Sequence, residues 1–78
     1  MPQRKANMLI IDNNLRRVRT QRGLSQVQLA TRSGIWASNI SVIEQHHLYP
    51  NADIRERLAE TLDVSELEIW PNKPVGAE

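Results

Sequence analysis

The stretch from Ser25 to Glu44, SQVQLATRSGIWASNISVIE, most constrains what this chain can fold into, because it dictates two short helices hinged at Gly34. Ser25 and Gln28 stand at the spacing of a capping box, in which the serine oxygen accepts from an orphan amide and the glutamine reaches back to the cap. A helix starts there, with Leu29, Ala30 and Ser33 on its inward side, and the small Ala30 lets a second helix approach closely. Gly34 suits a left-handed residue just past a helix end, where any side chain would be penalised. The second helix is predicted from Ala37 to about Gln45, with Ile40 and Ile43 together on one face. At about 3.6 residues per turn, Glu44 lies beside Ile40 on the inward side, while Ser38, Ser41, Val42 and Gln45 point outward. A carboxylate facing the core demands a buried partner, and an apolar residue facing out suggests that the outer face has a task.

The rest of the chain braces that pair. Asp12, Asn13 or Asn14 caps a first helix that runs to about Arg22 and puts Leu15, Val18 and Arg19 on its inner face. Arg19 is therefore the natural mate of Glu44, and breaking one partner of such a buried pair costs about 3 to 5 kcal/mol because a charge is stranded. Gly23 ends this helix, and Leu24 plugs the core ahead of Ser25. The segment HHLYPN, with a proline and an asparagine cap, predicts a loop into a fourth helix at about Ala52, whose inner stripe is Ile54, Leu58, Thr61 and Leu62. Ser65 with Glu68 repeats the capping-box spacing and opens a short fifth helix bearing Leu67, Ile69 and Trp70, closed by Pro71 and Pro74. The fold class is thus all-α, a compact five-helix domain. Residues 1–11 form an N-terminal arm, 12–71 the helical domain and 72–78 a tail read as disordered. Within the arm, the run MLII at 8–11 is too short to stand as a strand by itself, and it is expected to pack on the core or to pair with a second chain.

A chain of 78 residues, 40% of them hydrophobic, builds a single core and leaves little room for an enclosed substrate cavity. No Ser-His-Asp or paired-carboxylate arrangement stands out, so an enzyme is not expected. There is no cysteine for a disulfide or a thiolate zinc site. His46 and His47 are adjacent and cannot share one helix face, and no acidic cluster completes a metal set, so neither a metal nor a cofactor is expected. No apolar run approaches the roughly 20 residues of a membrane span, and Met8 to Ile11 is far too short for a signal-peptide core. A soluble cytoplasmic protein is the expectation. The net charge of +1 conceals a polarity: residues 1–50 hold seven basic and two acidic residues, net +5, and residues 51–78 hold three and seven, net −4. One half can face a polyanion while the other is repelled by it, although an ordinary solvated surface also accounts for the numbers.

Gln26, Ala30, Gly34, Ile40 and Ile43 match the spaced pattern of the helix-turn-helix proteins that include the phage Cro and lambda-type repressors, the xenobiotic-response-element-like regulators. The resemblance runs from Leu15 to about Trp70, through LRRVRTQRGLSQ before the motif and NADIRERLAETLDVSELEIWP after it, and so covers most of the chain. Two positions depart from the pattern: Trp36 stands where the family usually has a small capping hydroxyl, and His46 where it often has glycine. The resemblance implies a lambda-repressor-like domain that binds double-stranded DNA, laying the helix near 37–45 in the major groove. It implies a transcriptional regulator, first of all a repressor, of a phage or bacterial promoter. An antitoxin with a toxin partner and a restriction-modification controller are the alternatives on the same fold. A helical protein-protein adaptor that has lost DNA is the rival from another class, and the polar Ser38, Ser41 and Gln45 argue against it.

Under that resemblance the residues divide by role. Gln26, first in its helix, would take a phosphate by its side chain and by the helix N-terminus. Arg17 and Asn39 would hold phosphates, Arg4 and Lys5 can touch them, and His46 or His47 would lie near the DNA backbone or at a helix end. Ser38, Ser41, Val42 and Gln45 form one stripe for the groove, in which Gln45 can pair with adenine, the serines can bond several bases, and Val42 or Ala37 can touch a thymine methyl. Lacking arginine, the stripe favours sites where A·T pairs matter. The alternative is that this face only fits the groove, while Gln26, Asn39 and Arg17 hold phosphates and DNA shape supplies the choice. Trp36, in the turn before the reading helix, either meets DNA or is partly buried against the third and fourth helices. Trp70 either closes the core or anchors a dimer. A single helix reads few base pairs, so a homodimer on half-sites roughly 34 Å apart is expected, with Met8 to Ile11 and Leu67 to Trp70 as its apolar candidates.

Overall fold

Two extended residues and five helices follow one another along the chain: β1 (Leu9–Ile10), α1 (Leu15–Gln21), α2 (Gln26–Ser33), α3 (Ala37–His46), β2 (Leu48–Tyr49), α4 (Ala52–Leu62) and α5 (Glu66–Ile69). This computed structural model describes residues 9–72, so the remainder of the expected arm, with Arg4, Lys5 and Met8, and the tail from Lys73, with Pro74, lie outside the described residues.

The helices begin where side chains satisfy their first amides. Both bonds of the capping box at Ser25 form: its hydroxyl oxygen accepts from the Gln28 amide at 3.0 Å, and the Gln28 side chain accepts from the Ser25 amide at 2.8 Å. Asn51 caps α4 by accepting from the Ile54 amide at 3.0 Å. At α1 the work is divided. Asn13 accepts from the Leu15 amide at 3.0 Å, and Asn14 instead ties the helix start to α5, its backbone amide donating to the Ile69 carbonyl at 2.8 Å. The capping box expected at Ser65 does not form, since only the Ser65 backbone carbonyl receives the Glu68 amide. With a helix of four residues, there is barely a first turn for such a box to close.

Gly34 adopts φ +77°, as the hinge requires, so the demand for glycine there comes from the backbone, a Cβ meeting the Arg57 guanidinium only at an ordinary contact distance of 3.4 Å. The left-handed residue after α3 is His47, at φ 52°, rather than His46, which stays helical. That turn reverses the chain so that Leu48–Tyr49 runs antiparallel to Leu9–Ile10, with Leu9 opposite Tyr49 and Ile10 opposite Leu48. The expectation that residues 8–11 pair with a second chain is corrected for these two: the loop HHLYPN supplies their partner within the chain, and the Ile11 amide extends the contact to the His47 carbonyl at 2.6 Å.

Every helix sends at least one side chain to the centre. Leu15, Leu29, Ile40, Leu58, Leu62 and Ile69 are each 1% exposed or less, and full burial of such a side chain is worth about 1.5 to 3 kcal/mol. Trp70 belongs to this core, 1% exposed, with its ring edge-on to Tyr49 at 6.0 Å and its indole N–H donating to the Leu48 carbonyl at 3.3 Å. It is thereby unavailable as a surface anchor. Leu67, grouped with Ile69 and Trp70 from the sequence, points outward and is exposed. Arg55 was missed as a core residue. It lies buried over the Tyr49 ring, 4.3 Å from the centroid, and donates to the Pro50 carbonyl and, at 3.0 Å, to Glu66. Among the described residues no helix is long and apolar enough to cross a membrane.

Candidate nucleic-acid interface

The seat of the site is the inward Glu44. Arg19 grips it with two edges, Nε to Oε2 at 2.7 Å and Nη2 to Oε1 at 3.1 Å, and uses Nη1 on the Leu24 carbonyl at 2.7 Å. Gln26 adds a third donor to the carboxylate, Nε2 to Oε1 at 2.9 Å. The two charged side chains are 10% and 3% exposed. A bidentate, charge-assisted pair of this kind offsets its own desolvation best when further hydrogen bonds support it, and here Arg19 also donates to the Leu24 carbonyl while Glu44 also accepts from Gln26. One network therefore fixes α1, α2 and α3 together. Gln26, expected to take a phosphate, has turned one amide N–H inward and keeps the other free in geometry.

The outward face of α3 has the opposite character. Ser38, Asn39, Val42 and Gln45 are exposed and Ala37 and Ser41 half-buried, and among the described residues the polar side chains of this set make no hydrogen bond. Trp36 is 78% exposed, which removes the expectation of partial burial against the third and fourth helices. Its position explains the exposure. As N-cap of α3 it makes no side-chain cap bond, and it stands beyond the end of the helix beside Ala30, Thr31 and Ala37.

The far end of α3 is tied back to α1. Asn13 donates from its side-chain amide to the Ile43 carbonyl at 3.0 Å, and His47 Nδ1 lies 3.2 Å from Asp12 and 3.4 Å from the Asn13 amide. His46 is the last residue of α3 and His47 its cap, so both sit at a helix end. Among the described residues no group of three or more His, Cys, Asp or Glu side chains could hold a metal ion.

The basic residues of α1 overlap in part. Arg17 lines one cleft with Val64 and Glu68, towards α5, and shares a second with Arg16, Asn13, Asn14, Glu44 and His47. Arg16, which sequence reasoning passed over, also lines a cleft with Gln26, Glu44 and Gln45, which Arg17 does not enter. Helical periodicity contained the signal: Arg16 precedes Arg19 by three residues, and so stands about one turn from the residue assigned to Glu44.

A capped helix, a glycine hinge and a second helix whose polar outer face is unpartnered together define a class of protein, the helix-turn-helix DNA-binding transcriptional regulators. The chain belongs to the helix-turn-helix domain family, whose model matches residues 13–70. Among solved structures it is similar to the restriction-modification controller protein C.AhdI from Aeromonas hydrophila, with 34% identity, a TM-score of 0.66, and coverage of 70% of this chain and 83% of that one. No curated protein matches the chain.

Proposed function

We propose that the protein is a repressor that binds its operator as a two-fold dimer, each protomer laying α3 in the major groove. Ser38 and Ser41 bond base edges, Ala37 and Val42 meet thymine methyls, and Trp36 packs at the groove margin ahead of them. Arg17, Asn39 and Gln26 hold phosphates and set the register. The observation that supports this reading is the outer face of α3, where polar side chains without partners in the described chain stand over a network that immobilises the helix from behind. Selection from random duplexes at two salt concentrations tests it. A preferred site with two half-sites roughly 34 Å apart is expected, with log affinity falling by about 0.9 per phosphate contact per log unit of salt. Sedimentation with one protomer per operator at saturation would remove the dimer, and salt-independent affinity would remove the polyanion.

A second reading is favoured by the 34% identity to C.AhdI, namely control of a restriction-modification system. Genomic fragments retained by the protein would then lie beside genes for a DNA-cleaving and a DNA-modifying enzyme. Retention of unrelated promoters would favour the general repressor.

A further inference from the structure

Arg16 of α1, Gln26 of α2 and Gln45 of α3 come from three different helices and line one cleft of about 250 Å³, with Arg19 and Glu44 beneath them. The carboxylate in this cleft is already spent. Both of its oxygens accept from Arg19, and one also from Gln26. Arg16 is therefore not drawn inward by Glu44, and among the described residues its side chain has no ion pair or hydrogen bond. What the cleft offers outward is one uncompensated guanidinium flanked by two amides. The same Glu44 bond that occupies one N–H of Gln26 fixes the direction of the other, so Glu44 is a positioning residue for that amide.

The position of Gln45 on α3 says what meets this cleft. A recognition helix reaches base edges with its N-terminal residues, and Gln45 lies in the last turn, eight residues beyond Ala37. With Ala37 and Ser38 over the bases, the last turn, which carries Gln45, emerges at the groove wall, where the phosphates are. A planar guanidinium with two neighbouring N–H donors suits the tetrahedral, negatively charged phosphodiester. Resting on the reading of α3 as the DNA-binding helix, we propose that Arg16, Gln26 and Gln45 form a phosphate-binding notch that holds one backbone phosphate of bound duplex DNA. Gln45 is then a backbone contact, and base choice passes to Ala37, Ser38, Ser41 and Val42.

The test is fluorescence anisotropy of the full chain on the selected duplex and on a random-sequence duplex of equal length, across a series of salt concentrations. Arg16→Ala is expected to weaken both complexes alike, by about tenfold, and to lower the salt slope by about 0.9. Arg16→Lys should keep the slope, and Arg57→Ala, which removes an equal charge from α4, should change neither quantity. A duplex carrying one neutral methylphosphonate, moved step by step along the strand, should locate a single position at which wild type loses affinity and Arg16→Ala loses no more. Because Arg16 is exposed, the thermal midpoint of the variant should equal that of wild type. If wild type binds and Arg16→Ala matches it in affinity and slope, the notch is wrong while the DNA reading stands. If Arg16→Ala instead changes the preferred base at one position, Arg16 is a base reader and the proposal is likewise overturned. A wild type that binds no duplex at all would overturn the DNA reading and the notch together.

Discussion

At the front of the molecule Arg19 joins α1 to α3 through Glu44, whose side chain is 3% exposed; at the back Arg55 joins α4 to α5 through Glu66, whose side chain is 37% exposed. Both arginines are buried, yet their partners differ in how much they depend on them. Glu44 is enclosed and receives three hydrogen bonds, so removing it leaves Arg19 with a charge that only the Leu24 carbonyl and little water can answer. Arg55 also has the Pro50 carbonyl and the face of Tyr49, and its carboxylate reaches solvent. The contrast extends to the surfaces. Behind, Arg57 pairs with Asp53 at 3.2 Å and Arg22 donates to the Asp63 carbonyl at 3.2 Å, so surface donors are used within the fold. In front, the side chains on the outer face of α3 are left unpaired among the described residues. A rigid seat under an outer face of unpaired side chains is the arrangement expected of a binding face, and a clamp with redundant partners is the arrangement expected of a brace.

The largest effect should come from the two tryptophans, one at each end of this contrast. Trp70→Ala is expected to cost about 3 to 5 kcal/mol, since it opens the core beside Tyr49, whereas Trp36→Ala, at an exposed site, should change stability by no more than about 0.5 kcal/mol. Urea melts of the two variants decide it, and similar losses for both would erase the distinction between brace and face.

Next comes the front clamp itself. Glu44→Ala should destabilise by about 3 to 5 kcal/mol because it strands Arg19, which for a domain of this size lowers the melting temperature by well over 10 °C at about 4 to 8 °C per kcal/mol. A loss below about 1 kcal/mol would mean that Arg19 finds water or another acceptor and that the seat is not rigid.

Much of this was legible in the sequence, and the reasons are specific. Ser25 with Gln28, Gly34, and the spacing of Ile40, Ile43 and Glu44 are local signals, each tied to backbone geometry or to helical period, and they led directly to the two helices and to the Arg19–Glu44 partnership. The Leu9–Ile10 pairing was not legible. It depends on a contact across 38 residues or more, made possible by His47 in a left-handed turn that no residue type there demanded. Arg55 was passed over because a basic residue on an amphipathic helix is normally solvated, and only the arrival of Tyr49, Pro50 and Glu66 around it justifies its burial. Of the two alternatives for Trp36, partial burial fails for a related reason: the residue stands ahead of the first turn of α3, at the rim of α2, where it is 78% exposed.

A smaller effect should mark the back clamp. Glu66→Ala is expected to cost about 1 kcal/mol, in keeping with a partly exposed pair whose arginine keeps other partners. Thermal melts beside Glu44→Ala give the ratio directly. If Glu66→Ala proves as damaging as Glu44→Ala, the two clamps are equivalent and the front one has no special claim to holding a functional face.

The central claim is that the outer stripe of α3 reads DNA bases from a seat that does not itself touch them. Selection of preferred duplexes from a random pool, carried out in parallel for wild type, Ser38→Ala, Ser41→Ala and Val42→Ala, tests this most directly. Each substitution is predicted to relax preference at its own base position by about 1 to 3 kcal/mol while leaving the other positions and the melting temperature in place. Recovery of one unchanged preferred site from all four proteins would contradict the account and assign sequence choice to DNA shape.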